Sequence, residues 1–265
     1  RLFIIDGYAL LYRAHFAMIR NPLINSKGMH TSALFGFVNQ VLKLLRQEKP
    51  DYLMAAFDSS KKTFRHERYP EYKATREKMP EEMRDQLPYL GKLMDAMRIP
   101  TLERPGFEAD DIIGTLAKKG DEFGLDVYIV SGDKDMMQLV SPEVQMLDTM
   151  KNKWFGIKEV EEKFGVPPEK VIEVMGLMGD SSDHIPGVKG VGPKTAKELI
   201  QKYGSIDELY NCIDEIEKKK LKQKLVQDKE LALLSQKLVT IDTSMKLDCS
   251  LDDLKVRPYK NEDLK

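Results

Sequence analysis

Three short apolar runs each lead into an aspartate, and this pattern constrains the fold more than any other. Leu2–Ile5 runs into Asp6, Tyr52–Phe57 into Asp58, and Val127–Val130, through Ser131 and Gly132, into Asp133. Two further runs, Ile99–Leu102 and Val144–Leu147, have the same character. Such runs are too short for helices and read as buried strands. Helical patterns separate most of them, which implies an α/β fold, a mostly parallel central sheet flanked by helices. In such sheets the strands deliver their C-terminal ends to a ligand crevice, so the three aspartates are expected side by side.

One crossover helix is predicted over Ser32–Arg46, with Leu34, Phe35, Val38, Val41, Leu42 and Leu45 on its core-facing stripe and Pro50 beyond its end. After Trp154 the strand signal fades. Helical segments are expected at 157–164, 168–178, 193–203, 206–213 and 216–235. The chain therefore divides into an α/β core over 1–155, a helical subdomain over 156–249, and a charged segment over 250–265 that reads as a tail or linker to an absent following domain. The polar connection from about 59 to 90 is long for a sheet protein, and long connections are usually functional. The chain opens at Arg1 directly on a strand, so a trimmed N-terminus is expected.

A chain of 265 residues that is 42% hydrophobic and 32% charged can bury its own core and is not intrinsically disordered. No apolar run approaches the roughly 18 residues of a membrane span, so a soluble protein with no membrane partner is expected. Cys212 and Cys249 offer neither metal spacing nor a disulfide framework, which points to a reducing, cytoplasmic setting. Lys and Arg total 42 against 43 Asp and Glu, so charge acts through segregation rather than through a global field. Between Lys61 and Lys78 there are seven Lys or Arg against three Glu. Basic surface and acidic site are expected to be separate.

The carboxylates carry the chemistry. Glu108, Asp110 and Asp111 follow the turn Pro105-Gly106 and open a helix expected over Ile112–Lys119; Asp135 follows Asp133; Asp180 and Asp183 lie in a polar turn between helices. Each could cap a helix or turn, but three acids in four positions exceed what capping needs. If these nine carboxylates converge, their repulsion raises their pKa values unless cations neutralise them. Oxygen ligands without Cys or well-placed His favour Mg²⁺ or Mn²⁺ over Zn²⁺. Two such ions about 4 Å apart form the clamp used for phosphodiester hydrolysis, which predicts a nuclease.

A second constellation, Ile185-Pro-Gly-Val-Lys-Gly-Val-Gly-Pro-Lys-Thr-Ala, lies between two helices with Pro193 at the first position of the second. Its glycine spacing is not the dinucleotide fingerprint and no strand precedes it. It suits a helix-hairpin-helix in which Gly187, Gly190 and Gly192 let the backbone approach a phosphate and Lys194 and Lys197 supply charge. In the basic connection Lys73 and Arg76 are three apart, on one side if the piece is helical, and Tyr69 and Tyr72 interleave with the charges. That mixture suits single-stranded nucleic acid, with a tyrosine stacking a base for about 1–3 kcal/mol. His15, His30 and His66 receive no catalytic role, and Trp154 reads as packing.

Taken as a set, Ile-Ile-Asp6-Gly, Phe-Asp58-Ser-Ser, Phe-Arg65-His-Glu, Tyr72-Lys73-Ala-Thr-Arg76, Glu108-Ala-Asp-Asp111, Ser-Gly-Asp133-Lys-Asp135 and Gly-Asp180-Ser-Ser-Asp183 resemble the bacterial 5′-nuclease family over nearly the whole chain. The similarity is to the N-terminal 5′ to 3′ exonuclease domains of bacterial DNA polymerases I, relatives of phage 5′-nucleases and flap endonucleases. The resemblance implies a PIN-like nuclease core, a helical arch at about 59–90 and a helix-hairpin-helix subdomain. It implies a monomeric, metal-dependent nuclease that cuts nicked, gapped or flapped DNA in Okazaki primer removal and repair, with a fused polymerase domain in the native protein. By the same resemblance Asp6, Glu108, Asp110 and Asp111 form one metal group and Asp133, Asp135, Asp180 and Asp183 a second. Asp58 acts through metal-bound water, and Lys73 and Arg76 steer the scissile phosphate. Arg65 and Tyr72 join the DNA-binding set, and the glycine hairpin holds downstream duplex, in this family often with K⁺. Two positions depart: His184 replaces a usual Asn, and Tyr8 a smaller polar residue.

Two other readings compete. A phosphotransferase with an aspartyl nucleophile needs a second Asp two positions after Asp6, where Tyr8 stands. A non-catalytic module binding branched DNA would have no need of all nine carboxylates.

Overall fold

A computed structural model describes residues 1–259. Six strands form one sheet in the order β3-β2-β1-β4-β5-β6: β1 (Leu2–Asp6), β2 (Tyr52–Phe57), β3 (Thr101–Glu103), β4 (Val127–Val130), β5 (Val144–Asp148) and β6 (Lys153–Phe155). The first five are parallel, and β6 turns back antiparallel on β5. The strand side-chain period of two sends alternate residues to opposite faces. Leu2 and Ile4 face one apolar cluster, while Phe3 and Ile5 face the other.

The second face is covered by α1 (Gly7–Ala17), α2 (Ser32–Gln47) and, beyond the short helices α3 (Phe64–Arg68) and α4 (Glu81–Arg84), by α5 (Leu87–Met97). The stripe expected on α2 is displaced by one position. Ala33, Phe37, Val41 and Leu44 are buried, Leu34, Val38, Leu42 and Leu45 pack at its margins, and Phe35 is exposed. Both phases offer apolar residues, and the deeper site takes Phe37, whose full burial is worth roughly 2 kcal/mol.

The first face is covered by α6 (Ala109–Glu122), which sends Ile112, Ile113 and Leu116 onto the sheet. The same cluster continues without a break into the C-terminal helices α7 (Ile157–Phe164), α8 (Val171–Met178), α9 (Pro193–Tyr203), α10 (Ile206–Asn211), α11 (Lys219–Gln227) and α12 (Lys229–Val239). The predicted helix over 216–235 is thus two helices that meet at Asp228. Part of the expected tail is structured: Leu254 is buried and the Val256 N–H donates to Asp51 O at 2.9 Å. Residues 260–265 of that segment lie outside the described residues. No helix among the described residues is long and apolar enough to cross a membrane.

The segment at 59–90 is helical only in pieces, α3, α4 and the start of α5. Lys73 and Arg76 stand on turns between the first two, and Lys73 takes a left-handed backbone with φ of 57° while its N–H donates to Asp183 O at 2.9 Å. Helical spacing therefore does not bring the two cations together; their common acidic partner Asp183 does.

Candidate active site

The strand order sets β2, β1 and β4 side by side, so the chain brings Asp6, Asp58 and Asp133 to one end of the sheet. That edge is where the connection from β1 goes one way to β2 and the β4 pairing goes the other, the position at which open parallel sheets form a crevice. Each of the three also caps. Asp6 accepts from the Ala9 N–H at 3.1 Å and from the Ser131 hydroxyl at 2.8 Å. Asp58 accepts from the Ala109 N–H at 2.8 Å, and Asp133 from the Asp135 N–H at 3.0 Å. Capping uses one or two lone-pair directions and leaves the rest of each carboxylate facing the crevice.

Two cavities share that crevice. One of about 350 Å³ is lined by Asp6, Asp58, Asp110, Asp133, Lys73 and Arg76. The other, about 500 Å³, is lined by Asp133, Asp135, Asp180, Asp183, Arg76 and Lys134, among others. Asp133 and Arg76 belong to both. Seven of the nine predicted acids therefore meet.

The remaining two do not line either cavity. Glu108 is 4% exposed and Asp111 fully buried. Asp111 takes both terminal nitrogens of Arg65 at 2.8 Å, the Asp242 N–H at 2.9 Å and the Glu108 N–H at 3.0 Å. Four donors fill the carboxylate's acceptor sites, so the expectation of Asp111 as a metal ligand is corrected: its partner is a guanidinium. Arg65, only 2% exposed, is likewise beyond the reach of DNA. Tyr72, counted with DNA binding, is buried and donates its hydroxyl to Glu108 at 3.0 Å, so it has no face for a base. The Tyr72 hydroxyl is held far above its ordinary range by burial and by Glu108 and Asp183, which keeps it a neutral donor.

Charge balance divides the acids into two sets. Lys73 pairs with Glu108 at 2.7 Å, Arg76 with Asp183 at 2.6 Å and Lys134 with Asp180 at 2.6 Å. Burial would push Asp180 up, but Lys134 and the Ser182 hydrogen bonds outweigh it and hold the carboxyl below its ordinary value. Asp111 has Arg65, whereas Asp6, Asp58, Asp110, Asp133 and Asp135 have no such partner among the described residues. Burial pushes Asp6 up to about 6, with Asp133 and Asp58 adding to it against the bonds from Ser131 and Ala9. Burial also raises Asp110 well above the usual range, reinforced by Asp133 and opposed by Lys73. Asp135 is raised by burial and by Asp133 and Asp180, and its Oδ1 is buried without a hydrogen-bond partner.

An orphaned carboxylate oxygen on Asp135 and, farther along the same crevice, the two raised acids Asp6 and Asp110 are what hard divalent cations would relieve. Among the described residues no group of three or more His, Cys, Asp or Glu is gathered closely enough to hold a metal ion, and the cavities have room for an ion that keeps part of its water. The donor set is all oxygen, which fits Mg²⁺ or Mn²⁺.

Sequence reading missed Arg13. It donates to Asp148 Oδ1 at 2.8 Å and lines the larger cavity, and a Cβ on Gly132 would fall on its guanidinium. Its signal was spacing: seven residues after Asp6, two turns along α1. Lys134, between the two acids of the Asp133 motif, and Lys163 of α7 line the same cavity and were missed too.

Within the glycine hairpin, Gly187 is buried, its N–H donates to Ser235 Oγ at 2.9 Å, and its φ of 58° lets its backbone press on Gly179. Its place is therefore structural rather than a phosphate contact. Gly190, Gly192 and Lys194 are exposed, and Pro193 opens α9 as expected. The Lys197 amine donates to the Lys163 carbonyl. Tyr8 lines the smaller cavity with its ring edge-on to Phe57, and the His184 ring meets the Glu71 carbonyl at 3.0 Å rather than a site carboxylate.

Unbalanced acids at parallel strand ends, flanked by cations of phosphate-binding type, place the molecule among the nucleases. Residues 1–165 match the 5′-3′ exonuclease N-terminal resolvase-like domain, and residues 166–262 match the 5′-3′ exonuclease C-terminal SAM fold. The chain belongs to the 5′-3′ exonuclease family. It is 44% identical over 272 residues to DNA polymerase I of Bacillus caldotenax, covering 99% of this chain and 30% of that protein. It is 39% identical over 262 residues to a 5′-3′ exonuclease of Aquifex aeolicus, covering 98% and 89%. The chain thus spans about 30% of the length of the DNA polymerase I relatives it matches. Among solved structures it is similar to a bacteriophage T5 flap endonuclease in a pseudo-enzyme–product complex with DNA and metal ions, with a TM-score of 0.76 at 25% identity, over 91% of this chain and 89% of that one.

Proposed function

We propose that this chain is a structure-specific 5′ to 3′ exonuclease and 5′-flap endonuclease that hydrolyses phosphodiester bonds with Mg²⁺ or Mn²⁺. The observation that carries the reading is the unneutralised set Asp6, Asp58, Asp110, Asp133 and Asp135 around two joined cavities, with Lys73, Arg76 and Arg13 at their walls.

Asp6, Asp110 and Asp133 would hold ions at the smaller cavity, and Asp133, Asp135, Asp180 and Asp183 at the larger. Bound there, divalent ions supply charge neutralisation and polarise a phosphoryl oxygen. Asp58, fixed by the Ala109 N–H, orients water at the cavity floor. Lys73 and Arg76 hold the scissile phosphate, a role that draws them from Glu108 and Asp183 toward the substrate. Arg13 presents a second guanidinium, and its bond to Asp148 fixes the direction.

Gly190, Gly192 and Lys194 would meet the phosphates of downstream duplex through backbone and charge without reading bases, with K⁺ as a candidate ion there. Primer removal and excision repair in the cytoplasm are the roles the family supports; the DNA polymerase I relatives favour a polymerase domain in the full-length protein, while this chain spans 89% of the Aquifex aeolicus exonuclease. The α/β core over 1–155 and the helical subdomain over 156–249 divide the work between cutting and duplex holding. A labelled 5′-flap duplex titrated with Mg²⁺ tests the reading: cleavage that rises with metal and stops in EDTA is expected. Binding without cleavage would instead favour a non-catalytic module for branched DNA.

A further inference from the structure

Arg65 is the largest side chain to be fully buried, and every donor on it is engaged. Its fork meets both oxygens of Asp111 at 2.8 Å, its Nε donates to Leu238 O at 2.9 Å, its Nη2 also to Thr240 O at 2.8 Å, and Nη1 lies 3.3 Å from Glu108 Oε2. Arg65 itself stands in α3, and its partners come from the start of α6 and the end of α12, so three parts of the chain meet on it. Asp111 ties α6 to the segment after α12 a second time, through the Asp242 N–H, while its bond from the Glu108 N–H closes the cap of α6 itself.

From this geometry we infer that the Arg65–Asp111 pair is a positioning strut for the metal-binding carboxylates, set from beneath by the C-terminal end of the helical region. Adjacent residues of a helix point about 100° apart, so fixing Asp111 on Arg65 turns Asp110 toward the cavity. A planar guanidinium holding a carboxylate through two parallel bonds fixes orientation as well as distance, which an ammonium does not. The strut thus sets the first turn of α6, where Glu108 and Asp110 sit, to the place where α12 ends. Arg65 touches neither cavity, so it acts through other residues and not on the substrate. This rests on the nuclease reading above.

Groups behind metal ligands typically change metal affinity by about 10- to 100-fold when altered. Two variants separate positioning from simple stability. Arg65→Lys keeps the charge and loses the fork. The double variant Arg65→Met with Asp111→Leu replaces the buried pair by apolar groups, a change often neutral for stability. Mn²⁺ binding without DNA, measured by electron paramagnetic resonance of free Mn²⁺, is expected to weaken about 10- to 100-fold in both. The kcat for flap cleavage should fall, while the flap Kd in EDTA and the circular dichroism spectrum stay as in the wild type. Wild-type Mn²⁺ affinity and kcat in folded Arg65→Lys would overturn the strut, even if the double variant lost both, because that pattern would return Asp111 to the ligand set. Failure of both variants to fold would also overturn it and leave the pair a purely structural role. If the wild-type protein itself bound no Mn²⁺ and cut no flap, the nuclease reading would fail instead.

Discussion

Lys73 reaches from a turn of the basic segment to the head of α6, where its ammonium lies 2.7 Å from Glu108 Oε1 and 3.8 Å from Asp183 Oδ2. The cation proposed to hold the scissile phosphate is therefore kept within the acidic site by two carboxylates. Replacing Lys73 by Ala should slow flap cleavage by orders of magnitude. It should also reduce the slope of log Kd against log salt by about 0.9, one phosphate's share. Single-turnover cleavage and a salt series on the same duplex measure both; an unchanged rate and slope would confine Lys73 to its ion pairs.

The neighbours Asp110 and Asp111 should behave oppositely when changed to Asn. At Asp110 the substitution removes a charge repelled by Asp133 and Asp6, so cleavage should be lost while stability holds or rises. At Asp111 it leaves the buried Arg65 guanidinium without its anion, which costs about 3–5 kcal/mol. Urea unfolding of the two variants reads the difference directly, and equal stabilities would contradict the assignment.

Stability without metal should depend on pH in an unusual direction. Asp6 is pushed up to about 6, above its unfolded value of 3.8, and Asp110 and Asp135 are raised in the same sense. A carboxyl whose folded pKa is raised binds its proton more tightly in the native state, so its contribution is present at low pH and lost as pH rises through the folded value. Asp180, held low by Lys134 and Ser182, acts in the opposite direction but only below about pH 4. In EDTA the Tm should therefore fall as the pH rises from about 4 to about 7, and saturating Mn²⁺ should abolish that fall. Scanning calorimetry across the range checks it; a Tm that rises with pH in EDTA would refute the crowding of acids.

Gly132 tests the arginine that sequence reading overlooked. Its backbone lies outside the left-handed region, so Ala is tolerated there, yet a Cβ would fall on the Arg13 guanidinium. Gly132→Ala should move Arg13 from Asp148 and lower kcat/KM for flap cleavage by at least about tenfold, the effect of losing one placed phosphate contact. The Tm should change little. Steady-state kinetics beside a thermal melt decides it, and wild-type kinetics would release Arg13 from the site.

The frame was legible because its signal is local. β1, β2 and β4 announce themselves by apolar runs that end on Asp6, Asp58 and Asp133, and parallel topology does the rest. α7 and α9 fall where periodicity and Pro193 place them. What was not legible depends on partners distant in sequence. Asp110 and Asp111 are chemically identical neighbours; only Arg65, 46 residues before Asp111, distinguishes them. Tyr72 and Arg65 sit in a basic stretch that reads as surface, yet their partners in α6 bury them. The α2 stripe was displaced because apolar residues occupy both candidate phases, and Phe35 against Phe37 is settled by depth in the core. The docking of Leu254 and Val256 near the start of β2 has no signature in a short, charged segment.

The central claim is that Asp6, Asp110, Asp133 and Asp135 converge with too much negative charge to stand without divalent ions. Anomalous diffraction from crystals soaked in Mn²⁺ tests it most directly. Peaks are expected in the two cavities that share Asp133, one on the side of Asp6 and Asp110 and the other on the side of Asp135. Cavities free of anomalous density at saturating Mn²⁺, with the carboxylates in place, would contradict the account.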